Sequence, residues 1–481
     1  MIDIIICVLV SQGLFAKRYG GADFDHAHSV VLADDGGYLV AGNTRSWGGG
    51  NYDILVFKTD PSGTLQWAKT FGGSESEQAY EVAKVSGGEY VICAENLVLR
   101  LDASGTLIEA RRTPEIAFFS VEATSDGGYA LAGYTASYGA GRTDFVILKE
   151  GPSGSWAKTF GGSGEESAWS IAQTSDRGFL VGGYTNTFGA GDCDFMILKL
   201  TSDGTLSWAK AFGGSGQDIV YSVGEAADGN YLFAGRTISF YPDTFEFLVA
   251  KMDPSGNILW TRICGRGGGW PAIGMIPTSD GGCAITSRRT PSGLFVAKLD
   301  ASGNIEWARS GPGSDGWRGV IQTPDGGYTV AGYGFWGGAN DALVLRVDPQ
   351  GNYSGCVNDY APATGTPSLI TNPANGVLGE CPVVVTPLSL TVTSPNPSVA
   401  DVCAPLEREE SSPHSGATVI SSAAPRAALF LCEDEAEIRI YSADGRLFYI
   451  GFLERGMNRV SLDRGVYFWV AGPCKGRITV R

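Results

Sequence analysis

The chain has 481 residues, more than one ordinary compact core accommodates, so a large closed architecture or several domains are expected. Glycine supplies 69 residues, about twice its usual share. The 43% of hydrophobic residues exclude a disordered glycine polymer, and the lack of a three-residue glycine period excludes collagen. The formal net charge of −16 argues against a nucleic-acid or anionic membrane partner.

The first segment, residues 1–13, is an apolar run followed by small and polar residues. Its length suits the hydrophobic region of a secretory signal peptide and is too short to span a bilayer. An N-terminal β-strand is the alternative interpretation. We predict a signal peptide over 1–13 and no transmembrane span, because no later apolar stretch approaches the ~20 residues that a spanning helix needs.

One unit recurs seven times along the chain and decides the predicted fold. Each copy contains a turn of the type Asp-Gly-Gly-Tyr that leads into an apolar strand. The seven turns begin at Asp35, Gly87, Asp126, Asp176, Asp228, Asp280 and Asp325. Their fourth residues lie 39 to 52 positions apart, which is the size of one blade of a β-propeller.

Each unit carries four strand signals joined by turn residues. In the first unit the strands are predicted at 28–33, 38–42, 53–58 and 65–71. The second and third strands are apolar on both faces, so neighbouring sheets must cover both sides of each sheet. Four-stranded sheets packed around a ring meet this requirement, and the sequence therefore predicts an all-β, seven-bladed β-propeller.

The ring is predicted to close with its N-terminal strand. Trp67-Ala-Lys69 marks the outermost strand of the first unit and recurs in later units, but the seventh unit lacks it. Phe15-Ala-Lys17, at the start of the chain, supplies the missing copy. We therefore expect the propeller to span 14–356, with the repeated tryptophans packing between blades and the basic residues protecting the outer edges.

Beyond the repeats the composition shifts to proline, serine and threonine, which predicts a linker over 357–424. Alternating strands follow, and 425–481 is predicted to be a small antiparallel β-sandwich. Cys432 and Cys474 bracket this domain and could pair, although sequence cannot fix disulfide connectivity. The scattered cysteines of the repeats are expected to be buried small hydrophobes.

The last domain carries a family resemblance. Its motif runs from Ile438-x-Ile-Tyr-Ser-x-Asp-Gly445-Arg446 through Gly456-x-Asn458 to Arg464-Gly465-Val-Tyr467. This pattern resembles the C-terminal sorting domain of type IX (Por) secretion cargo, and the repeats resemble those of secreted bacterial propeller proteins that carry such tails. The resemblance implies the type IX secretion machinery as a partner and the outer cell surface or the medium of a Gram-negative bacterium as the location.

Catalytic and metal signatures are not found in the sequence. Three histidines, no Cys-x-x-Cys pair and no Gly-x-Ser-x-Gly elbow with partners leave little basis for a zinc site or a nucleophilic triad. The glycine-rich loops lack the Lys-Ser/Thr of a phosphate-binding loop. We predict a non-catalytic protein without cofactor or metal. The aspartates that enter the third strands are expected to cap turns: Asp53, Asp144, Asp194 and Asp341.

Two sets of loop residues are the candidate binding residues, because strand order places both sets on one face of the ring. The loops between second and third strands carry aromatic residues: Trp47, Tyr138, Phe188, Phe240 and Trp336. The loops between blades end in carboxylates: Asp25, Glu77, Glu166, Asp218 and Asp315. Such a face could bind a glycan or a peptide. The alternative is that each aromatic packs against a blade and each carboxylate caps backbone N–H groups, which regular repetition favours.

These patterns together predict a monomeric, secreted or cell-surface propeller that binds an unidentified glycan or protein ligand. Two other classes remain open. One is an extracellular carbohydrate-active or quinoprotein-like enzyme on the same ring, since propeller repeats of quinoproteins resemble Asp60-Pro-Ser-Gly63 before Trp67. The other is a structural component of a surface layer.

Overall fold

The fold was analysed in a computed structural model of the chain. Backbone is described for 13–189, 191–240, 245–267, 273–288, 294–311, 315–336 and 339–352, and for the strands between 358 and 480. Side chains are described for 13–189, 191–240, 245–264, 274–287, 296–310, 319–334 and 340–352. The predicted signal peptide lies outside these residues, except for Gly13.

Seven antiparallel sheets, here called blades 1 to 7, are formed by the described strands, and each is listed from its innermost to its outermost strand. Strand β1 (Phe15–Gly20) belongs to blade 7. Blade 1 contains β2 (Asp25–Leu32), β3 (Tyr38–Thr44), β4 (Asp53–Thr59) and β5 (Leu65–Gly72). Blade 2 contains β6 (Glu81–Lys84), β7 (Tyr90–Ala94), β8 (Leu97–Leu101) and β9 (Leu107–Arg112), with a 3₁₀ turn at Ser86–Gly88. Blade 3 contains β10 (Ile116–Ala123), β11 (Tyr129–Thr135), β12 (Asp144–Glu150) and β13 (Trp156–Gly161).

The second half of the ring repeats this arrangement. Blade 4 contains β14 (Glu166–Gln173), β15 (Phe179–Thr185), β16 (Asp194–Leu200) and β17 (Leu206–Gly213). Blade 5 contains β18 (Asp218–Glu225), β19 (Tyr231–Thr237), β20 (Phe245–Met252) and β21 (Ile258–Gly267). Blade 6 contains β22 (Ile273–Pro277), β23 (Cys283–Arg288), β24 (Leu294–Leu299) and β25 (Ile305–Gly311). Blade 7 contains β26 (Asp315–Gln322), β27 (Tyr328–Trp336), β28 (Ala339–Val347) and then β1.

The two ends of the ring meet in blade 7, as the sequence predicted. Strand β1 pairs antiparallel with β28, and Phe15 lies opposite Arg346 while Tyr19 lies opposite Ala342. The Tyr19 hydroxyl donates a hydrogen bond to the carbonyl of Gly63 in blade 1, at 2.5 Å. The prediction of a seven-bladed propeller closed by its N-terminal strand is therefore confirmed.

A charge pair, here called the buried charge pair because its cation is buried, fixes the turn between the first two strands of most blades. The turn aspartate accepts the amide hydrogen of the residue two positions later, which is Asn230 in blade 5 and glycine in the other blades, and it also binds a basic residue near the end of the third strand. In blade 5, Lys251 donates to Asp228 at 2.6 Å, and the Lys251 side chain is only 2% exposed. The pairs are Asp35–Lys58, Asp126–Lys149, Asp176–Lys199, Asp228–Lys251, Asp280–Lys298 and Asp325–Arg346.

The repeated tryptophans of the outermost strands pack against the next blade, which confirms their predicted role. In blades 3 to 6 the indole N–H donates a hydrogen bond to a carbonyl in the neighbouring turn, and the rings of Trp156, Trp260 and Trp307 lie over a glycine of that turn. At Gly303, with φ of +79°, a Cβ would come within 2.9 Å of the Trp260 ring, so only glycine fits both the backbone and the space. The donors and acceptors are Trp156–Ser202, Trp208–Pro254, Trp260–Ala301 and Trp307–Pro349.

The innermost strands are joined from blade to blade by side-chain oxygens. In four blades a serine hydroxyl accepts an amide hydrogen from the innermost strand of the next blade, and in blade 2 the Glu81 carboxyl takes this role. We call these contacts the inner latches. They are Ser29 with Val82, Glu81 with Val121, Ser120 with Ile171, Ser170 with Val223 and Ser222 with Met275.

Part of the predicted linker adds a further strand to the outer edge of every blade. These seven short strands, here called the belt, pair antiparallel with the outermost strands of blades 6, 5, 4, 3, 2, 1 and 7 in that order. They are β29 (Asn358–Asp359), β30 (Thr364–Gly365), β31 (Ile370–Pro373), β32 (Val377–Glu380), β33 (Thr386–Pro387), β34 (Thr391–Thr393) and β35 (Ser398–Asp401). The segment is extended, as its composition predicts, but its backbone bonds to sheet edges that would otherwise be open.

A second compact unit covers 404–481. Its strands are β36 (Ala417–Ile420), β37 (Ala427–Cys432), β38 (Ala436–Ser442), β39 (Leu447–Leu453), β40 (Gly456–Ser461), β41 (Gly465–Ala471) and β42 (Cys474–Val480). They form one sheet in the order β36-β37-β40 and another in the order β39-β38-β41-β42. The β-sandwich stays a prediction. Of the sorting motif, Gly465 and Tyr467 lie in β41, while Gly445 and Arg446 lie outside the described residues.

Cysteines of the propeller behave as predicted where they are described. Cys93, Cys264 and Cys283 are buried, and Cys193 is half-buried; all four are free thiols. Burial raises the pKa of the Cys283 thiol to about 12, so this group stays protonated and unreactive. In the part of the chain that the structure describes, no helix is long and apolar enough to cross a membrane.

Replacing Asp228 with asparagine tests the buried charge pair. Although partial burial works in the opposite direction, the Lys251 ammonium holds the pKa of Asp228 below its usual value. The variant leaves a buried ammonium without its carboxylate, so we expect a loss of about 2–3 kcal/mol in the free energy of unfolding at neutral pH, measured by denaturant titration. The exposed turn residue Asp203 is the control, and Asp203→Asn should cost far less. Equal losses would show that burial of the cation does not matter.

Candidate ligand-binding channel

The carboxylates predicted at the blade-to-blade loops are buried and bind the protein's own backbone. Asp25, Glu166 and Asp218 are fully buried, and Glu77 is 7% exposed. Each accepts an amide hydrogen from the glycine four residues earlier: Gly21 to Asp25 at 2.7 Å, Gly73 to Glu77 at 3.3 Å, Gly162 to Glu166 at 2.9 Å and Gly214 to Asp218 at 3.0 Å. Burial raises the pKa of Asp218 to about 6. These contacts support the structural alternative. The side chain of Asp315 lies outside the described residues.

The predicted loop aromatics are packed on the blades. Trp47 is half-buried, and a Cβ at Gly21 would come within 2.8 Å of its ring. Tyr138, Phe188 and Phe240 are partly buried and pack against hydrophobic cores of the ring. The side chain of Trp336 lies outside the described residues. Packing against the blades thus covers much of the surface that these rings would offer to a ligand.

The aspartates that enter the third strands act largely as predicted. Asp53 accepts the amide hydrogen of Gly50 at 3.1 Å, Asp144 that of Gly141 at 3.0 Å, and Asp194 that of Gly191 at 3.0 Å. Asp341 instead accepts a hydrogen bond from Arg18 at 3.3 Å, which ties the closing strand β1 to blade 7. Among the described side chains, no group of three or more His, Cys, Asp or Glu residues could hold a metal ion.

The innermost strands line a central channel of about 940 Å³. In blades 1, 3, 4 and 5 a β-bulge interrupts the pairing of the innermost strand with its neighbour, as between Ala27 and Ser29 in blade 1. A bulge leaves one residue outside the ladder and re-aims its side chain. The residues at this position, together with the matching residue of blade 2, are His28, Tyr80, Phe119, Trp169 and Tyr221. We call this set the aromatic arc.

Neighbouring rings of the aromatic arc contact one another along the channel wall. Phe119 and Trp169 stack with ring centroids 4.3 Å apart and planes 7° apart. Tyr80 meets Phe119 edge-on at 4.8 Å, and Tyr221 meets Trp169 edge-on at 5.6 Å. The Trp169 Nε1 donor has no hydrogen-bond partner among the described groups. That atom is itself buried, so what the arc offers a ligand is flat apolar faces.

Two carboxyl groups from neighbouring blades line the same channel. Burial raises the pKa of Glu81 to about 7, although hydrogen bonds from Ser120 and the Val121 amide lower the pKa in part. Burial, with the charge of Glu81 as a second cause, raises the pKa of Glu122 to about 8. Each carboxyl touches the channel yet is surrounded by protein on its other sides. The pair therefore carries protons near neutral pH, where ordinary glutamates carry none.

Sequence reasoning missed the aromatic arc and the buried charge pairs. The arc residues differ from blade to blade, and nothing in a strand pattern shows that a bulge turns them inward. One signal was present: an aromatic residue stands directly before the latch residue in Phe119-Ser120, Trp169-Ser170 and Tyr221-Ser222. The charge pairs had a clearer signal, because a lysine recurs at one position of an otherwise apolar third strand.

Comparisons with known proteins give structural similarity only. No family model and no curated protein matches the chain. Among solved structures, it is similar to a protein of unknown function from Dyadobacter fermentans (13% identity, TM-score 0.41, covering 69% of this chain and 97% of that one). It is also similar to a protein of unknown function from Bacteroides caccae (11% identity, TM-score 0.35, covering 62% and 93%). A third is PorZ, described as an essential bacterial surface component of the type IX secretion system of Porphyromonas gingivalis (11% identity, TM-score 0.40, covering 95% and 59%). At this level they assign no function, which must be argued from the residues.

The channel carboxyls predict a pH-dependent stability. The folded state keeps a proton on Glu122 up to a pKa of about 8, whereas the unfolded chain releases it near 4.5. Folding therefore binds protons between these values, and the free energy of unfolding should fall as pH rises from about 4.5 to about 8. In Glu122→Gln this fall should be smaller, as measured by urea titration at several pH values. Exposed Glu75→Gln is the control, and an unchanged profile in Glu122→Gln would contradict the prediction.

Proposed function

We propose that this chain is an exported, non-catalytic binding protein whose propeller takes a glycan or protein segment into its channel. The observation that carries the proposal is the aromatic arc, which lines one continuous part of the channel wall across blades 1 to 5. Flat aromatic faces stack against sugar rings or peptide groups, and a few polar groups then fix the orientation of the ligand.

Variation among the blades supports a binding role for the arc. Positions with a structural role mostly keep one residue type: serine forms four of the five inner latches, and tryptophan occurs in the outermost strand of five blades. The arc position holds histidine, tyrosine, phenylalanine, tryptophan and tyrosine in successive blades. A repeated fold does not need this variety, whereas an asymmetric ligand would.

A second candidate function is supported by the carboxyl pair in the channel. Glycoside hydrolysis uses one carboxyl group kept protonated by its environment together with a second carboxylate. Glu122 has the raised pKa of such an acid, but Glu81 is engaged as an inner latch with Val121. We therefore rank binding first. Release of reducing ends from an oligosaccharide, lost in Glu122→Gln, would establish the enzyme instead.

Export is proposed from the C-terminal motif. The residues that resemble a type IX sorting domain include Gly445, Arg446, Gly465 and Tyr467. Their family resemblance supports delivery by the type IX machinery to the surface or the medium of a Gram-negative bacterium, with 1–13 as the signal peptide. A structural role in a surface layer would require regular self-assembly of the purified protein.

Replacing Trp169 with alanine tests the channel as the binding site. The probes are linear cello-, chito- and xylo-oligosaccharides and a short tyrosine-rich peptide, each titrated by calorimetry. For the probe that binds, Trp169→Ala should weaken binding about tenfold or more, because a stacking face is lost. Trp47→Ala is the matched control on the loop face. Weakened binding in Trp47→Ala with unchanged binding in Trp169→Ala would place the site on the loops and refute the channel.

Deleting 425–481 tests export. In a bacterium that has type IX secretion, the full chain should reach the surface or the medium, and the truncated chain should stay in the periplasm. Cell fractionation and protease accessibility of the propeller are the measurements. Full-length Trp169→Ala is the control for folding and should be exported normally. Surface delivery of the truncated chain would refute the sorting role.

A further inference from the structure

The corner between blades 3 and 4 departs from the repeat in the turn before β13. In blade 1 the turn runs from Lys58 to Trp67, and the same spacing holds in blades 4, 5 and 6. In blade 3 it runs from Lys149 to Trp156 and is two residues shorter. Gly151 also stands where the turns of blades 1, 2, 5 and 6 have an aspartate. This corner has therefore lost two residues, and its carboxylate, Glu150, stands one position earlier and binds Arg111.

The same corner departs from the repeat a second time, at Arg177 in blade 4. The matching position of the other six turns is glycine, with φ between +78° and +89°, and Arg177 keeps the left-handed backbone at φ of +65°. A side chain in this region is strained, and such strain persists where the surrounding structure or a function maintains it. Glycine at this position would relieve the strain, so the arginine is not explained by folding.

Both departures line one cavity of about 460 Å³, here called the corner groove. Trp156 and Ser153 border it from blade 3, and Arg177, Ser202 and Asp203 border it from blade 4. Its lining also includes the hydroxyls of Ser125 and Ser155 and the ring of Phe179, but no aliphatic side chain. An indole ring among hydroxyl groups is a surface that suits a saccharide better than the apolar side chains of a peptide.

Charged residues of both signs line the corner groove. Lys149 is paired with Asp126, and Asp176 is paired with Lys199. Asp203, on the rim, accepts the amide hydrogen of Thr205 at 3.2 Å. Arg177 is exposed and has no ion pair with any side chain that the structure describes. Its guanidinium presents a fork of donors that matches a carboxylate or sulfate group.

We propose that the corner groove is a binding site for an anionic saccharide, distinct from the aromatic arc. The acidic group of the sugar binds the Arg177 guanidinium, the sugar ring lies against the Trp156 indole, and the serine hydroxyls of the groove bind the hydroxyl groups. The groove borders the channel mouth through Ser125, Gln173 and Arg177, which line both cavities. The site does not depend on a ligand in the channel.

Arg177→Gly in the full-length protein separates binding from folding. Glycine relieves the strained backbone, so we expect the Tm to rise by about 1–2 °C. The probes are oligogalacturonate, its neutral methyl ester, sulfated dextran oligosaccharide and a polyglutamate peptide, each titrated by calorimetry at low and high salt. Wild type should bind a charged sugar more tightly than the neutral ester, and Arg177→Gly should weaken this binding about tenfold or more. Comparison of the two charged sugars tells carboxylate from sulfate recognition.

Two controls complete the experiment. Gly229→Arg places arginine at the matching turn of blade 5, where the preceding turn has its full length, and it should create no new binding. Trp169→Ala should leave binding of the charged sugar unchanged, so that failure of the channel proposal and failure of the corner groove are separately visible. Any of four results would overturn the proposal. The first two are that wild type binds the neutral ester as tightly as the charged sugar, or binds no charged sugar at all. The other two are that Arg177→Gly binds the charged sugar with unchanged affinity, or that the peptide binds as tightly as the sugars.

Discussion

Each sheet of this propeller is apolar on both faces, so no blade can be stable until another blade covers each side. The third strand of blade 1, β4, is buried along its whole length, and its neighbours in the ring supply the cover. An open row of such sheets would leave two apolar faces in water, and closure through β1 removes both. The inner latches and the outer tryptophans then fix the distance between blades at the two ends of each sheet.

The seven-bladed ring could be predicted from the sequence because the turn and strand signals of the blades are local and repeated. The Asp-Gly-Gly turns need positive φ, and the copy at Phe15 could be matched to the strand missing after Asp348. The channel was not predictable in the same way, since the inward direction of Trp169 depends on a bulge that no residue pattern announces. The belt was missed because strands of two to four residues, some with proline, carry too little alternation to be recognised.

Repetition also provides an internal comparison for assigning roles. Asp25, Glu166 and Asp218 occur at one position and cap the same kind of glycine amide, so a structural role accounts for all three. Glu81 occupies a latch position that serine holds in four other blades, and its carboxyl adds a titratable group to the channel. Arg177 replaces a glycine that the backbone prefers. Departures of this kind, rather than the repeated residues, mark the positions that the repeated fold does not explain.

The belt has a mechanical consequence. Its strands lie along the chain in the order of blades 6, 5, 4, 3, 2, 1 and 7, so a pull from the C-terminal side loads β35 on blade 7 first. Each strand is held by only a few backbone hydrogen bonds, and they would release one after another rather than together. The belt would thus detach in seven small steps, each of which lengthens the free segment that follows the ring. The four inner strands of every blade would stay paired.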